Sequence, residues 1–509
     1  MLHPSTLEQI DAATKKILQL VLHSDQCQEC RPSVGMEAHQ HVHIAVWPEI
    51  VTEHASEERE LRHAPLSAKY LNGVPGKRHL NLLEKFRGSN GHTLNIPVPI
   101  FIPTLTSFPP CSYIPPMDLA LAELLRQFHE RFGGAATGRH RVHVIRAPGR
   151  VNLIGEHTDY NDGFVFPMAI EPEVRLACRA REDGVVRLAS SVFPGQIVEF
   201  SVQKPIDRGE PVWANYSRGV AAEMVAAGIP LCGMDCMMTN TLPVGGGLSS
   251  SAAIEVGTAL ALLIVSGSEM SPGRIALLSQ KAEHDYAGVP VGIMDQTAVA
   301  SGKQGHAMLL DCRDLSKRFV PIDPKDLRVV IANSMVKHEL NGGEYAERRK
   351  ECEEGVAFFR KTNPAVRALR DVTIAQVQAA EGKLPEVVFR RCRHVVGENA
   401  RATQGADHLT REQYDAFGEL MMQSHQSLRD DYEVSCPELD FLTEQAMKVR
   451  GVYGARMTGG GFGGCIVALT QPRAVEPLAE QLTRTYQAKF QIRPTVFATT
   501  ATAGASVLE

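Results

Sequence analysis

The sequence predicts an α/β or α+β fold for most of the chain, preceded by an N-terminal segment of different character. After residue 116, amphipathic helical patterns alternate with short apolar strand patterns, as is typical of enzymes built on mixed sheets. No repeat of about 20–50 residues is visible, which argues against solenoids and propellers. Apolar residues make up 44% and charged residues 22% of the 509 residues, a balance that lets a chain bury sizeable cores.

Charge and composition exclude several classes of protein. The 53 Lys and Arg and 58 Asp and Glu give a net charge of −5 with no long basic run, which argues against nucleic-acid binding. No apolar stretch approaches the roughly 20 residues of a membrane-spanning helix. The 11 Cys are odd in number and scattered, so they do not form a disulfide framework. We therefore expect a cytoplasmic protein that binds neither nucleic acid nor membranes.

Residues 1–116 differ from the rest of the chain. They hold 9 of the 19 His and 12 of the 30 Pro, and seven of these Pro fall between Pro97 and Pro116. Proline density of this kind excludes a helix or a central strand and favours an extended linker. Upstream, the apolar spacing of Thr6–Leu22 predicts one amphipathic helix. The whole segment is predicted to be an unassigned extension of low order.

The extension also contains residues that could bind a metal ion. Cys27 and Cys30 precede the alternating His39, His41 and His43, which together suggest zinc. The spacing fits no standard zinc finger, and alternating His suits a strand better than a ligand helix. We therefore favour a weakly ordered extension without metal. A role in binding a partner protein stays open.

The elements after residue 116 follow from their local patterns. Leu119–Phe132 has the apolar spacing of a helix and is followed by two glycines that end it. Arg141–Ile145 alternates as a half-buried strand, and strands are predicted at Val174–Ala180 and Val185–Ala189 with a turn between them. Further strands are predicted at Met308–Asp311, Val329–Ala332 and Ile466–Leu469.

The strongest chemical signal is a glycine–serine loop, Pro243–Ala253, which runs directly into a helical pattern ending at Val265. Its three glycines permit tight turns and close approach to a ligand, and its serines can cap the helix. The N–H groups and dipole of a helix N-terminus attract anions, so phosphate is the expected occupant. The loop is not a Walker A motif, because no Lys-Ser/Thr pair follows the glycines.

A second polar cluster lies just after the first predicted strand. Glu156, His157 and Asp159 crowd hydrogen-bonding groups into one short segment. Several carboxylate and imidazole groups in one place can orient a polyol through its hydroxyls. A solvated turn with a helix cap is the alternative that the residues alone leave open.

Two other segments carry weaker signals. Asp295 lies in the apolar stretch Gly288–Gln296, where a buried carboxylate is costly unless it is paired or used. Glu283, twelve residues earlier, is a candidate magnesium ligand. The C-terminal glycine motif, Met457–Cys465, places five glycines around one Phe, which predicts a backbone that passes close to a ligand or another loop.

In this order, these segments resemble the GHMP small-molecule kinases and, within them, the galactokinase family. The glycine–serine loop resembles the family's ATP loop, and the signature segment Arg150–Asp162 resembles the motif of the galactokinases. The resemblance begins near Met117 and implies two α/β domains, at 117–320 and 321–509, with the active site in the cleft between them. Because Met117 and the helix after it resemble a usual family start, we expect translation to begin there.

The resemblance also implies an activity. This activity is ATP-dependent phosphorylation of the C1 hydroxyl of α-D-galactose, with release of ADP and with Mg²⁺ as cofactor, as the first committed step of galactose catabolism. The expected partners are galactose and ATP, and the expected oligomeric state is a monomer. The enzyme alternative is a related sugar 1-kinase that acts on N-acetylgalactosamine, arabinose or galacturonate. A non-catalytic galactose and ATP sensor is disfavoured, because the Ser249–Ala253 part of the loop is complete.

Residue roles carry over position by position from the family motifs. Asp295 would be the catalytic base, and Arg150 would keep it ionised and stabilise charge on the transferred phosphoryl group. Ser251 and Glu283 would hold the metal. The implied sugar ligands are Glu156, His157, Thr158, Asp159, Gly292, Asp295 and Tyr345. The implied ATP-binding residues are Gly245, Gly246, Gly247, Leu248, Ser249, Ser250, Ser251 and Trp213.

Overall fold

The chain divides into two compact units, Met1–Ile114 and Pro115–Glu509. The predicted helix over Thr6–Leu22 and the cysteine–histidine cluster that begins at Cys27 lie outside the described residues. The computed structural model describes residues 119–133, 141–243, 245–337 and 343–508, together with four strands between residues 62 and 101.

The described part of the first unit is an antiparallel sheet. Its strands are β1 (Arg62–His63), β2 (Ser67–Ala68), β3 (His79–Arg87) and β4 (Thr93–Phe101). β3 pairs with the other three, and β4 runs along the whole of it. The prediction of a linker from Pro97 onward is therefore wrong for its first residues, because Pro97 and Pro99 belong to β4. Among the described strands β4 pairs only with β3, and such an edge position tolerates proline.

The second unit mixes helices and strands, which confirms the predicted α/β class. Its helices are α1 (Leu119–Phe132), α2 (Asn215–Ala226), α3 (Ser250–Ser266), α4 (Pro272–Ala282), α5 (Met294–Ser301), α6 (Gly343–Arg360), α7 (Ile374–Gln378), α8 (Glu386–Thr410), α9 (Tyr414–Asp430), α10 (Pro437–Met447) and α11 (Val475–Phe490). Its strands are β5 (His143–Asn152), β6 (Phe164–Val165), β7 (Pro167–Arg181), β8 (Val185–Ser190), β9 (Val198–Ser201), β10 (Gly233–Asn240), β11 (His306–Asp311), β12 (Lys317–Pro321), β13 (Arg328–Lys337), β14 (Val452–Thr458), β15 (Gly463–Thr470), β16 (Thr495–Thr499) and β17 (Ser506–Val507).

Three sheets organise these elements. The largest has the order β17-β5-β7-β10-β8-β9 and is antiparallel except for the β10–β8 pair. A sheet of order β14-β15-β13-β16 lies in the C-terminal half, and β12-β11-β6 form a third. Helix α3 packs on β5 and β7, so the end of the glycine–serine loop is held against the central strands of the first sheet.

The local predictions agree closely with the structure in this unit. Helix α1 has the predicted bounds, and the predicted strands at 174–180 and 185–189 lie inside β7 and β8. Strand β5 begins two residues later than predicted and continues through the Ala-Pro-Gly-Arg sequence to Asn152. None of the helices in the described ranges is long and apolar enough to span a membrane.

The largest hydrophobic core joins both halves of the second unit. It includes Leu176 and Val256 from the first sheet and its covering helix, and Val329 and Phe417 from the C-terminal half. The division into domains at 117–320 and 321–509 stays a prediction. Helices α8 and α9 carry many of the polar groups that hold the site described below.

Candidate active site

A cavity of about 380 Å³ gathers segments that are distant in the sequence. Its walls come from the signature segment, the glycine–serine loop, the end of α4, the start of α5, the start of α6 and the C-terminal glycine motif. The predicted site residues that line it are Arg150, Glu156, His157, Asp159, Gly245, Gly246, Gly247, Leu248, Ser249, Ser250, Ser251, Glu283, Gly292, Asp295 and Tyr345.

At the centre of the cavity, Arg150 and Asp295 form a two-bonded ion pair. Arg150 Nε lies 2.7 Å from Asp295 Oδ1, and Arg150 Nη2 lies 2.8 Å from Oδ2. The third guanidinium nitrogen, Nη1, donates to the carbonyl oxygen of Gly247 at 2.6 Å. Arg150 is buried, whereas the Asp295 side chain keeps 20% exposure toward the cavity. One arginine therefore fixes both an accessible carboxylate and the glycine–serine loop.

The glycine–serine loop reaches its helix through left-handed residues. Gly245, Gly247 and Ser249 have φ of 72°, 70° and 60°, a region that favours glycine. Ser249 precedes α3, but its hydroxyl does not cap the helix as expected; it donates to Asp295 Oδ2 at 2.5 Å. Ser250 and Ser251 then line the cavity at the helix N-terminus, where first-turn N–H groups have no intrahelical acceptor. This arrangement suits an anion.

Two carboxylates of the signature segment, Glu156 and Asp159, line the cavity. Glu156 Oε1 accepts the N–H of Gly459 at 2.8 Å and the hydroxyl of Thr458 at 3.1 Å, which fixes its side chain against the C-terminal glycine motif. Burial raises the pKa of Asp159 to about 7, and the neighbouring Asp295 and Glu156 carboxylates add to that shift. The C-terminal glycine motif was predicted to pass close to a ligand or another loop. In the structure its backbone contacts the Glu156 carboxylate.

Gly292 and His157 complete this wall of the cavity. A side chain at Gly292 has no room, since its Cβ would lie 1.8 Å from Asp159 Oδ2. His157 has φ of 63°, and its Nδ1 lies 2.8 Å from the Tyr160 hydroxyl. Burial lowers the pKa of His157 to about 3, so the ring is neutral near pH 7. Its Nε2 is buried, and the Gly460 backbone lies beside the ring. The Tyr345 ring lies 5.8 Å from the His157 ring and also lines the cavity.

Two predicted site residues lie elsewhere. Thr158 is fully buried, and its hydroxyl donates to the carbonyl oxygens of Gly155 and Phe164, so it stabilises the turn and does not line the cavity. Trp213 stacks on Phe193 with ring centroids 5.5 Å apart and does not line the cavity. The roles of Thr158 in sugar binding and of Trp213 in adenine binding stay predictions.

The candidate metal ligands lie together at one end of the cavity. The Ser251 hydroxyl donates to the Glu283 carboxylate, and Gln296 Nε2 donates to Glu283 Oε2 at 2.6 Å. Burial raises the pKa of Glu283 to about 7, with a further contribution from the Asp295 carboxylate. Within the described residues, no group of three or more His, Cys, Asp or Glu could hold a metal ion. Carboxylate and hydroxyl oxygens nevertheless fit Mg²⁺, which proteins usually bind with one or two carboxylates plus substrate phosphates and water.

Sequence reasoning missed several residues that the structure places at the site. Tyr216 lines the cavity from the first turn of α2, three residues after Trp213. Behind the walls, Glu398 and Arg456 are both fully buried charges that contact the signature segment. Only their position in apolar helical and strand patterns could have indicated them, because a buried charge needs a partner.

Profiles of three known families match the chain. They are the galactokinase galactose-binding signature at residues 126–180, the GHMP kinase N-terminal domain at residues 215–303 and the GHMP kinase C-terminal domain at residues 406–488. The first covers the signature segment, and the second covers the glycine–serine loop and Asp295.

Two curated proteins and two solved structures are similar to the chain over most of its length. A galactokinase of Roseiflexus sp. (strain RS-1) is 44% identical over 72% of this chain and 92% of its own length. The galactokinase of Homo sapiens is 44% identical over 76% of this chain and 96% of its own length. The crystal structure of Lactococcus lactis galactokinase complexed with galactose is 34% identical, with a TM-score of 0.72 over 76% of this chain and 99% of that one. The mevalonate kinase of Methanococcus jannaschii, at 18% identity and a TM-score of 0.51 over 72% of this chain and 99% of that one, shares the fold.

Proposed function

The chain belongs to the galactokinase family of the GHMP kinases, and from that membership we propose how its cavity acts. The enzyme transfers the γ-phosphoryl group of ATP to the C1 hydroxyl of α-D-galactose and releases galactose 1-phosphate and ADP. The observation that carries the proposal is the Arg150–Asp295 pair, which lies where the signature segment meets the glycine–serine loop.

Asp295 is the proposed general base. Its carboxylate is the exposed member of the pair, so it can reach a hydroxyl bound in the cavity. In the transfer, the galactose O1 bonds to the γ-phosphorus while the bond from that phosphorus to the β-bridging oxygen breaks, and the O1 proton passes to Asp295. A positioned carboxylate contributes roughly 10²–10⁴-fold to such a step.

Arg150 has two proposed tasks. Its two hydrogen bonds orient the Asp295 carboxylate for proton acceptance. It also stabilises negative charge on the phosphoryl oxygens, because phosphoryl transfer depends mainly on positioning and charge neutralisation. The bond from Arg150 to the Gly247 carbonyl fixes these groups relative to the loop before any substrate binds.

The glycine–serine loop is the proposed phosphate site. The N-terminus of α3 faces the cavity and supplies N–H groups and a positive dipole end. Ser251 and Glu283 would hold Mg²⁺, which when bound neutralises phosphate charge and orients the phosphate oxygens.

The signature segment is the proposed sugar site. Glu156, Asp159 and His157 line the cavity with hydrogen-bonding side chains, and the Tyr345 ring lines it beside His157. A polyol needs several such groups in fixed positions. Gly292 contributes space, since any side chain there would displace Asp159.

The test is ADP release with Mg-ATP against galactose, glucose, N-acetylgalactosamine, arabinose, galacturonate and mevalonate. We expect galactose to be turned over far faster than the others. Asp295→Asn should keep galactose binding, measured by calorimetry, and lose at least 99% of turnover, a factor within the range for a general base. Asp285→Asn, at an exposed carboxylate paired with Lys281, is the matched control and should keep full activity.

Other outcomes of this experiment would contradict the assigned base, the assigned sugar or the catalytic activity. If Asp295→Asn keeps a tenth of the wild-type turnover, the assignment of the base is wrong. A preference for N-acetylgalactosamine, arabinose or galacturonate identifies a related sugar 1-kinase. If no sugar is turned over but galactose still raises the midpoint of thermal unfolding, the protein is a non-catalytic sensor.

We also propose that the enzyme works as a monomer in the cytoplasm. The acidic net charge, the scattered cysteines and the absence of a membrane-length helix in the described residues support the proposed location. Light scattering at micromolar concentration measures the mass directly, and a mass of twice 55.6 kDa would contradict the proposal.

A further inference from the structure

We propose that Glu398, on helix α8, is a positioning residue that holds the signature segment in its ligand-binding conformation and so sets the affinity for the sugar. The inference rests on the proposed function, because it concerns the same sugar site. Glu398 does not line the cavity and therefore acts through the residues that do.

Glu398 is a buried charge whose contacts are all to the site or its supports. Its side chain is fully buried, and Oε1 accepts the N–H groups of Gly155 at 2.9 Å and Glu156 at 3.3 Å. The same oxygen accepts the Ser424 hydroxyl at 2.6 Å, and Oε2 accepts Arg401 Nε at 2.7 Å. Although burial opposes ionisation, the charges of Arg401 and other neighbours lower the pKa of Glu398 to about 2. The group is therefore a carboxylate at every working pH.

Helix α8 also contacts the signature segment and the β6 strand after it at further points. His394, one turn earlier, donates from Nε2 to the carbonyl oxygen of Glu156 at 3.1 Å. Asn399 Oδ1 accepts the N–H of Phe164 at 2.7 Å. Ala402, one turn later than Glu398, lies 3.4 Å from where a Cβ on Gly155 would stand. Residues four apart share a helix face, so α8 is a rigid template for this turn.

The contacts from α8 hold residues that are proposed to bind the sugar. Both backbone groups of Glu156 are held by α8, so the direction of its side chain is fixed from behind. His157 follows with φ of 63°, a conformation that a residue with a side chain adopts only where the surroundings impose it. Loss of the carboxylate would release the N–H groups of Gly155 and Glu156, the two residues that precede His157.

A second route joins Glu398 to the Glu156 carboxylate. The Ser424 hydroxyl that donates to Glu398 also accepts Arg456 Nε at 3.1 Å. Arg456 is fully buried, and its Nη1 lies 3.4 Å from Glu156 Oε1. The buried Arg456 guanidinium thus links the Glu156 carboxylate in the cavity wall to Glu398 outside it, through the Ser424 hydroxyl.

The decisive variant is Glu398→Gln in the full-length protein. Glutamine has the shape of glutamate, but its NH₂ group faces donors in either orientation: the N–H groups of residues 155 and 156, or Arg401 Nε. We expect the KM and the calorimetric Kd for galactose to rise at least tenfold, about 1.4 kcal/mol. The KM for ATP should stay within twofold and kcat at saturating galactose within threefold. Asp407→Asn, an exposed carboxylate on the same helix paired with Arg318, is the matched control and should change neither KM.

The split between the two KM values separates positioning from a purely structural role, because a smaller folded fraction lowers kcat and leaves both KM values unchanged. An unchanged KM for galactose in folded Glu398→Gln overturns the inference, as does an equal rise in both KM values. If that variant does not fold, Ser424→Ala decides; it removes one donor to Oε1 and should raise the KM for galactose about threefold, and no rise overturns the inference. Wild-type enzyme that neither binds nor phosphorylates galactose would instead refute the proposed function.

Discussion

Four carboxyl groups line the cavity, and the surroundings of Asp295, Glu156 and Asp159 give these three different properties. Asp295 pairs with the Arg150 guanidinium through both oxygens. Glu156 is tied to the backbone of the C-terminal glycine motif. Asp159 is partly buried beside the other two carboxylates, and the loss of surrounding water raises its pKa to about 7. Its protonation therefore changes within the working pH range.

Galactose binding should strengthen as pH rises through this value. Below about pH 7 Asp159 is protonated, and above it the ionised carboxylate accepts stronger hydrogen bonds from sugar hydroxyls. With a pKa of about 7, the ionised fraction rises about tenfold between pH 6 and pH 8, and the apparent affinity should follow it. Calorimetry with galactose, without nucleotide or magnesium, measures the affinity at each pH.

The matched variant for this prediction is Asp159→Asn, which does not titrate and should bind with the same, weaker affinity at both pH values. Omitting metal and nucleotide matters because Glu283 has its pKa raised to a similar value. A wild-type affinity that is flat or falls with rising pH contradicts the prediction.

At the scale of the elements, helix α1 shows how the apolar spacing of a helix leads to a buried helix face. Leu124 and Phe128, one turn apart, are fully buried. They pack with Val144, Ala177 and Met237 on strands of the largest sheet. The apolar spacing predicts which side of the helix is buried, and the sheet supplies the surface that the spacing alone does not specify.

Truncating this contact should destabilise the second unit. Phe128→Ala should lower the free energy of unfolding by about 3–5 kcal/mol, the usual cost of removing a large buried side chain and leaving a cavity. Urea unfolding followed by circular dichroism measures the change. Leu119→Ala on the same helix, at a side chain with 80% exposure, is the control and should change stability by less than about 0.5 kcal/mol. Equal effects would show that α1 is not part of the folded core.

At the scale of the whole molecule, the end of the chain returns to the strand that carries Arg150. β17 pairs with β5 in the largest sheet, with Ser506 opposite Arg146. The N–H groups of Gly504 and Ala505 donate to the carbonyl oxygens of Gly302 and Val299, each at 2.8 Å. The first and last parts of the second unit thus form one sheet.

Deleting residues 501–509 should therefore weaken both stability and catalysis. At about 1 kcal/mol for each backbone hydrogen bond lost, the free energy of unfolding should fall by about 3–5 kcal/mol. The turnover should fall as well, since β5 positions Arg150. Denaturant unfolding and ADP release measure the two effects. Val507→Lys keeps the backbone pairing and changes a side chain with 42% exposure, so it should leave both properties near wild type. Full activity in the deletion would contradict this view of β17.

The sequence by itself determined the α/β class, the bounds of α1, the central parts of the strands and the segments that line the cavity. These features depend on apolar periodicity, helix-ending glycines and short motifs, all of which are local. The strand at residues 93–101 was not predicted, because its prolines favour a linker. In the structure this strand pairs only with β3 among the described strands, and such an edge position tolerates proline.

Only the tertiary structure decided which atoms meet. Arg150 and Asp295 are 145 residues apart, and their two-bonded geometry follows from the packing of β5 against α5. Glu398 and Arg456 had no motif to mark them, and Ser249 bonds to Asp295 where a helix cap was expected. Burial removes water and strengthens interactions between charges, so the partners of a buried charge depend on long-range packing that no local pattern encodes.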